Sequence, residues 1–206
     1  MPTAVNGTKI LRRAEALFSG SPVLIMLLSC AVECSGSPSA LLVEVPEAEP
    51  AVSRFRERLD DNAPLGIPAH ITVLYPFMAP KLIGPHQLAE LAQLFAAVSR
   101  FRFELVRTDW FGDEVLWLAP GDAARFRSLT DLVYEAFPAF PPFGGQYDEV
   151  VPHLTIGLGR SLDDLRAAEE SLQAHLPIAS TVTAVTLMAE QSGAEQWAKA
   201  ATFPLG

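Results

Sequence analysis

The chain has 206 residues, half of them hydrophobic and 19% charged, with 15 Lys and Arg against 24 Asp and Glu. That is enough apolar material for one well-buried domain or two small lobes sharing an interface, and 17 prolines in a weakly charged chain point to compact elements on stiff loops rather than to disorder. The net charge of −9 disfavours extended RNA or DNA as a ligand, since long phosphate backbones are held by Lys and Arg footprints. A small anion in a local pocket stays compatible with it.

Residues 1–38 differ from the rest. Arg12 and Arg13 precede an apolar run over 22–32 and a small-residue stretch over 35–39, the outline of a signal peptide, but Glu15 and Glu33 interrupt it. The run is too short to span a bilayer. The segment is read as an N-terminal extension, either non-native, disordered or signal-like. Setting aside its Lys9, Arg12, Arg13, Glu15 and Glu33 leaves 12 basic and 22 acidic side chains, so the acidity belongs to the body. The two cysteines, Cys30 and Cys34, also fall here, so the body has no disulfide framework and no Cys/His cluster for structural zinc. The expected location is cytoplasmic, or exported if the segment acts as a signal.

Residues 39–206 are expected to form a single bilobal domain. Residues 40–46 predict a strand, and 47–60 a helix with Val52, Phe55 and Leu59 at helical spacing. After a loop over 62–68, residues 70–75 alternate as a strand that Pro76 and Pro80 end. Residues 85–99 predict a helix with Pro85 in its first turn, and 101–107 alternate as a strand. Residues 110–114 turn into a strand at 115–119, and Asp122 supports the first turn of a helix over 121–137. A long loop over 138–152 leads to a strand at 153–157, a helix at 161–175, and strands near 178–190 and 196–203. The body thus repeats itself: each half has a loop containing proline, a His-x-Thr strand, a helix and two strands. The class is α+β, with largely antiparallel sheets in two lobes facing across a cleft.

The anchors of the repeat are Pro68-Ala-His-Ile-Thr-Val73 and Val151-Pro-His-Leu-Thr-Ile156, their histidines 83 residues apart. In a strand, residues i and i+2 share a face, so His70 projects with Thr72 and His153 with Thr155, while Ile71, Val73, Leu154 and Ile156 point to a core. Cleaving a phosphodiester needs a base for the attacking oxygen and an acid for the leaving one, and histidine, with an ordinary pKa of about 6.5, serves for both. A threonine hydroxyl donates to a non-bridging phosphate oxygen. Two facing sets supply base, acid and two phosphate donors without a metal or other cofactor. His86 and His175 lack this setting and are read as surface residues.

At these motifs the sequence resembles the 2H phosphoesterase superfamily, in its 2′-5′ RNA ligase-like, cyclic phosphodiesterase branch. The resemblance covers about residues 40–206 and is carried by 66–77, 115–120 and 147–156. It implies a bilobal fold with pseudo-two-fold symmetry around a central cleft. It also implies metal-independent opening of 2′,3′-cyclic phosphates to 2′-phosphomonoesters, with 2′-5′ RNA ligation as the reverse type of reaction. In it His70 and His153 are the acid–base pair, with His153 the base towards water and His70 the acid towards the 3′ oxygen, and Thr72 and Thr155 bind phosphate. Phe77 and Tyr147 are candidate cleft-lining residues that would stack on a base, whereas Trp110 and Trp117 are assigned to the core and Arg160 to solvent. The expected partner is a small cyclic-phosphate nucleotide or an RNA 3′ end, acted on by a monomer without long nucleic acid or membrane. The alternatives are a module that binds such a phosphate without turning it over and, from the N-terminal apolar run alone, an exported interaction protein.

Overall fold

Alternating and helical burial patterns give eight strands and four α-helices among the described residues. In chain order these are β1 (Ser39–Glu44), α1 (Glu49–Leu59), β2 (His70–Phe77), α2 (Pro85–Ala96), β3 (Phe101–Phe111), β4 (Val115–Pro120), α3 (Ala124–Ala136), β5 (Leu154–Leu158), α4 (Leu162–Gln173), β6 (Ile178–Val182), β7 (Ala184–Gln191) and β8 (Gln196–Pro204). The computed structural model describes residues 39–191 and 196–206, so Cys30, Cys34 and the apolar run lie outside the described residues. The strands form two four-stranded antiparallel sheets, ordered β2-β1-β7-β8 and β5-β4-β3-β6. This is the α+β, largely antiparallel class that the sequence pattern predicts.

Two local expectations are corrected. Strand β2 runs on through Pro76 to Phe77. It is the edge strand of its sheet, where a residue without an N–H is tolerated on the free side. The span 178–190 is not one strand: the chain changes sheet at Thr183, with β6 paired to β3 and β7 paired to β1. Neither sheet is therefore one contiguous half of the sequence. The two strands that follow β2, namely β3 and β4, join β5, while β7 and β8 return to β2's sheet.

The helices follow the same exchange. Helix α1, which succeeds β1, packs on β5, and α3, which succeeds β4, packs on β2. Thr130 of α3 donates from Oγ1 to the Val73 carbonyl at 2.8 Å, tying the helix to β2. Asp122 accepts from the Ala124 N–H at 2.8 Å, as its place before α3 suggests. One continuous core results, joining Ile71 and Val73 of one sheet to Leu116, Leu154 and Ile156 of the other, with Phe126 edge-on to Phe101 and Phe103. No helix among the described residues is long and apolar enough to cross a membrane.

Gly157 marks where α1 and α4 close on β5. A methyl group there would stand 2.6 Å from Leu165 Cδ2 and 2.7 Å from Leu59 Cβ. Gly157→Ala is expected to lower stability by about 1–3 kcal/mol, because the packed core absorbs an added carbon only by shifting both helices. Chemical denaturation measures this, and an unchanged midpoint would refute the close approach.

Candidate active site

The pleat of β2 and β5 sorts their side chains as the His-x-Thr spacing requires. Ile71, Val73, Leu154 and Ile156 are buried in the core, and His70, Thr72 and Thr155 lie half-buried on the opposite face. His153 stands one residue before β5, on the extended approach through Val151 and Pro152. Both strands are the outer strands of their sheets, and they touch each other. The two motifs consequently open into one cavity of about 150 Å³, lined by His70, Thr72, His153 and Thr155.

The two imidazoles are held alike. His70 Nδ1 lies 2.7 Å from the Pro68 carbonyl oxygen, and His153 Nδ1 lies 2.7 Å from that of Val151. A carbonyl oxygen only accepts, so Nδ1 carries the proton in both rings, and Nε2 is the nitrogen left for a ligand. The approach to His70 is itself fixed, since the Ala69 N–H donates to Glu49 Oε1 at 2.7 Å and the Ala69 carbonyl accepts from Val45 at 2.8 Å. Burial pushes the His70 imidazole down to about 4; the nearby Arg56 guanidinium acts in the same sense, while the bond to Pro68 and the Asp60 carboxylate oppose it. His153 is also lowered by burial, with its bond to Val151 in opposition. Both rings thus favour the neutral form at pH 7.

Apolar walls flank the pair. On one sheet Tyr75 and Trp197, with ring centroids 6.3 Å apart, cover Leu42 and Ile67. On the other, Phe111 stacks on Trp117 at 4.8 Å and meets the His153 ring edge-on at 4.9 Å. Among the described residues the cavity wall carries no lysine or arginine, and its carboxylate is Asp60. No group of three or more His, Cys, Asp or Glu side chains among them is arranged to hold a metal ion.

Several sequence expectations are corrected here. Phe77 does not line the cavity; it is buried between Phe137 and Phe140, each 5.3 Å from its ring. Tyr147 is 41% exposed and packs on Phe143, which is the residue that reaches the cavity. Trp110 packs against the core, its Nε1 donating to Glu169, and Trp117 is buried as expected, in a second apolar cluster with Val115 and Ala119, its ring 5.7 Å from that of His153. Arg160 is ion-paired with Asp61, while His86 and His175 are exposed as expected.

Sequence reasoning missed Tyr75, Phe111, Trp197 and Asp60. Val73 and Leu74 are consecutive buried residues beside an irregularity in the β1–β2 pairing, and this shift in parity turns Tyr75 to the cavity. Trp197 comes from the last strand, and only the sheet order brings it near His70.

The model of the 2′-5′ RNA ligase superfamily matches residues 44–194. No curated protein matches the chain. Among solved structures, the chain is similar to LigT of E. coli complexed with 3′-AMP, at 15% identity and a TM-score of 0.56, over 82% of this chain and 98% of that one. It is also similar to TT0787 of Thermus thermophilus, at 17% identity and a TM-score of 0.56, over 82% of this chain and 97% of that one. At such identities the likeness speaks for the fold, and it agrees with the paired sheets and helices described above. The match of the family model over most of the described residues, on a fold that sets two His-x-Thr motifs around one cavity, makes this chain a member of the 2′-5′ RNA ligase superfamily, the 2H phosphoesterases.

Proposed function

We propose that the chain is a metal-independent phosphodiesterase that opens 2′,3′-cyclic phosphates of nucleotides or RNA ends to 2′-phosphomonoesters. The observation that carries this reading is the pair of imidazoles in one cavity, both with Nδ1 bonded to backbone and Nε2 available. One Nε2 accepts a proton from water as its oxygen attacks phosphorus. The other ring, protonated, delivers its proton to the 3′ oxygen as the P–O3′ bond breaks. Thr72 and Thr155 donate to the non-bridging oxygens, where charge builds. The walls at Tyr75 and Trp197 and at Phe111 suit a nucleoside on one or other side of the phosphate.

The resemblance gives His153 as base and His70 as acid. We adopt this division for hydrolysis, with the roles exchanged in the ligation direction.

Hydrolysis of 2′,3′-cyclic nucleoside monophosphates is expected to persist in EDTA and to fall roughly 10²- to 10⁴-fold in either His70→Ala or His153→Ala. Retained turnover in both variants would sink the mechanism, and binding by calorimetry without turnover would leave a phosphate-binding module. A nitrophenyl phosphodiester, whose leaving group needs little help from an acid, should restore activity to His70→Ala far more than to His153→Ala; the reverse order would exchange the two roles.

The pH profile has a definite sign. Activity in the free enzyme rises as the basic ring loses its proton and falls as the acidic ring loses its own, and burial lowers both rings below the ordinary histidine value. The optimum of kcat/KM should therefore lie on the acid side of about 6.5, and that of kcat at higher pH, because the bound phosphate anion raises both rings. An optimum of kcat/KM above neutrality would contradict this.

A further inference from the structure

A buried ion pair lies directly behind His70. Arg56 and Asp60, one turn apart at the end of α1, are 2% and 1% exposed and joined by a 2.8 Å contact from Nη2 to Oδ2. Between them they grip both ends of the loop that delivers the imidazole. Asp60 Oδ1 accepts from the Asn62 backbone N–H at 3.0 Å and from its side-chain Nδ2 at 3.1 Å. Arg56 Nη2 donates to the Ile67 carbonyl at 3.2 Å, one residue before Pro68, whose own carbonyl holds His70 Nδ1. The same loop is tied to β8 where the Trp197 N–H donates to the Leu65 carbonyl at 2.7 Å.

Stability alone is a poor account of the pair. Burying two charges exacts a desolvation penalty that apolar side chains of similar volume avoid. Arg56 Nε is buried without a hydrogen-bond partner, so the guanidinium is not fully matched, and Asp60 is a carboxylate in the wall of an otherwise largely apolar cavity. We propose that Arg56 and Asp60 are positioning residues for His70: they clamp the 60–69 loop that aims its ring into the cavity, and they hold opposite charges beside it. This rests on the reading that His70 transfers protons in that cavity. The other groups near the ring are Glu44, its cross-strand partner on β1, whose carboxylate pairs with Lys199 of β8 at 2.8 Å, and His153 across the cleft. Glu44 and Lys199 offset each other, which leaves the Arg56–Asp60 pair as the adjustable charge on the loop side. Arg56 favours the neutral ring and Asp60 the protonated one.

The test follows the His70 ring by NMR across a pH titration of the full chain without substrate, in wild type, Arg56→Met, Asp60→Asn and Arg56→Lys. Arg56→Met leaves Asp60 unopposed and should move the His70 titration to higher pH, and Asp60→Asn should move it to lower pH, each by roughly 0.5 to 1 unit. Arg56→Lys keeps the charge and should leave the titration at the wild-type position. Shifts of one sign in both neutralised variants, as simple loosening of the loop would give, or no shift in either, overturn the proposal. Should a neutralised variant fail to fold, Arg56→Lys decides, since displacement of its His70 titration to the ordinary histidine value overturns the proposal and retention supports it. The titration needs no turnover, so a wild type inactive on cyclic phosphates would end the phosphodiesterase reading and still leave this measurement to stand or fall by itself.

Discussion

The meeting of β2 and β5 constrains everything else in this molecule. Each is the outer strand of a different sheet, and each has one face committed to a shared core. Once Ile71, Val73, Leu154 and Ile156 are buried there, the strand period of two leaves the alternate residues no choice of direction. Slipping either strand by one position would bury a histidine and a threonine and expose two large aliphatic side chains. The crossed helices guard against that slip. Helix α1 arrives from the first sheet to cover β5, and α3 arrives from the second to cover β2. Apolar packing, the strongest term available to the fold, thereby sets the geometry of its two paired imidazoles.

The site turns a generally unfavourable setting to use. An acidic chain is a poor general host for phosphate, and the described cavity wall supplies no fixed cation. What it supplies is two imidazoles that are uncharged until something makes protonation worthwhile. In the proposed reaction a phosphate anion entering between them would do so, favouring a charged ring beside it. Positive charge thus arises where and when the ligand needs it. The aromatic contacts of His153 with Phe111 and Trp117, and the charged pair behind His70, give the two rings unlike surroundings within a nearly symmetric frame. Unlike surroundings are what two groups need if one is to accept while the other donates.

Much of this was visible in the amino-acid order, for physical reasons. The four helices announce themselves by spacing, the strands by alternation, and the two His-x-Thr motifs by repetition after proline-containing loops. What stayed hidden depends on tertiary packing. The change of sheet at Thr183 interrupts a run that is β-prone on both sides, so no local signal separates β6 from β7. Tyr75 faces the cavity only because two consecutive residues of β2 are buried. Phe77 and Phe143 are chemically alike, and which of them reaches the cavity is decided by the rings of Phe137 and Phe140 waiting in the core. Arg56 and Asp60 look like an ordinary surface pair one helical turn apart, and only the burial of the end of α1 makes them otherwise.

The exchange of strands also fixes the order in which the molecule can be completed during synthesis. A nascent chain ending at Val182 already contains every strand of the sheet built on β5, but only β1 and β2 of the other. Until β7 emerges, one long edge of the apolar strand β1 has no partner, and the pairing that closes it joins residues as far apart as Ser39 and Ala189. Contacts of that span form slowly, because a long loop must be ordered before any of its pairing is gained. A chain that has reached Val182 therefore carries both cleft histidines yet lacks the Trp197 wall and the Leu65 tether, and its cleft is complete only once β8 has paired.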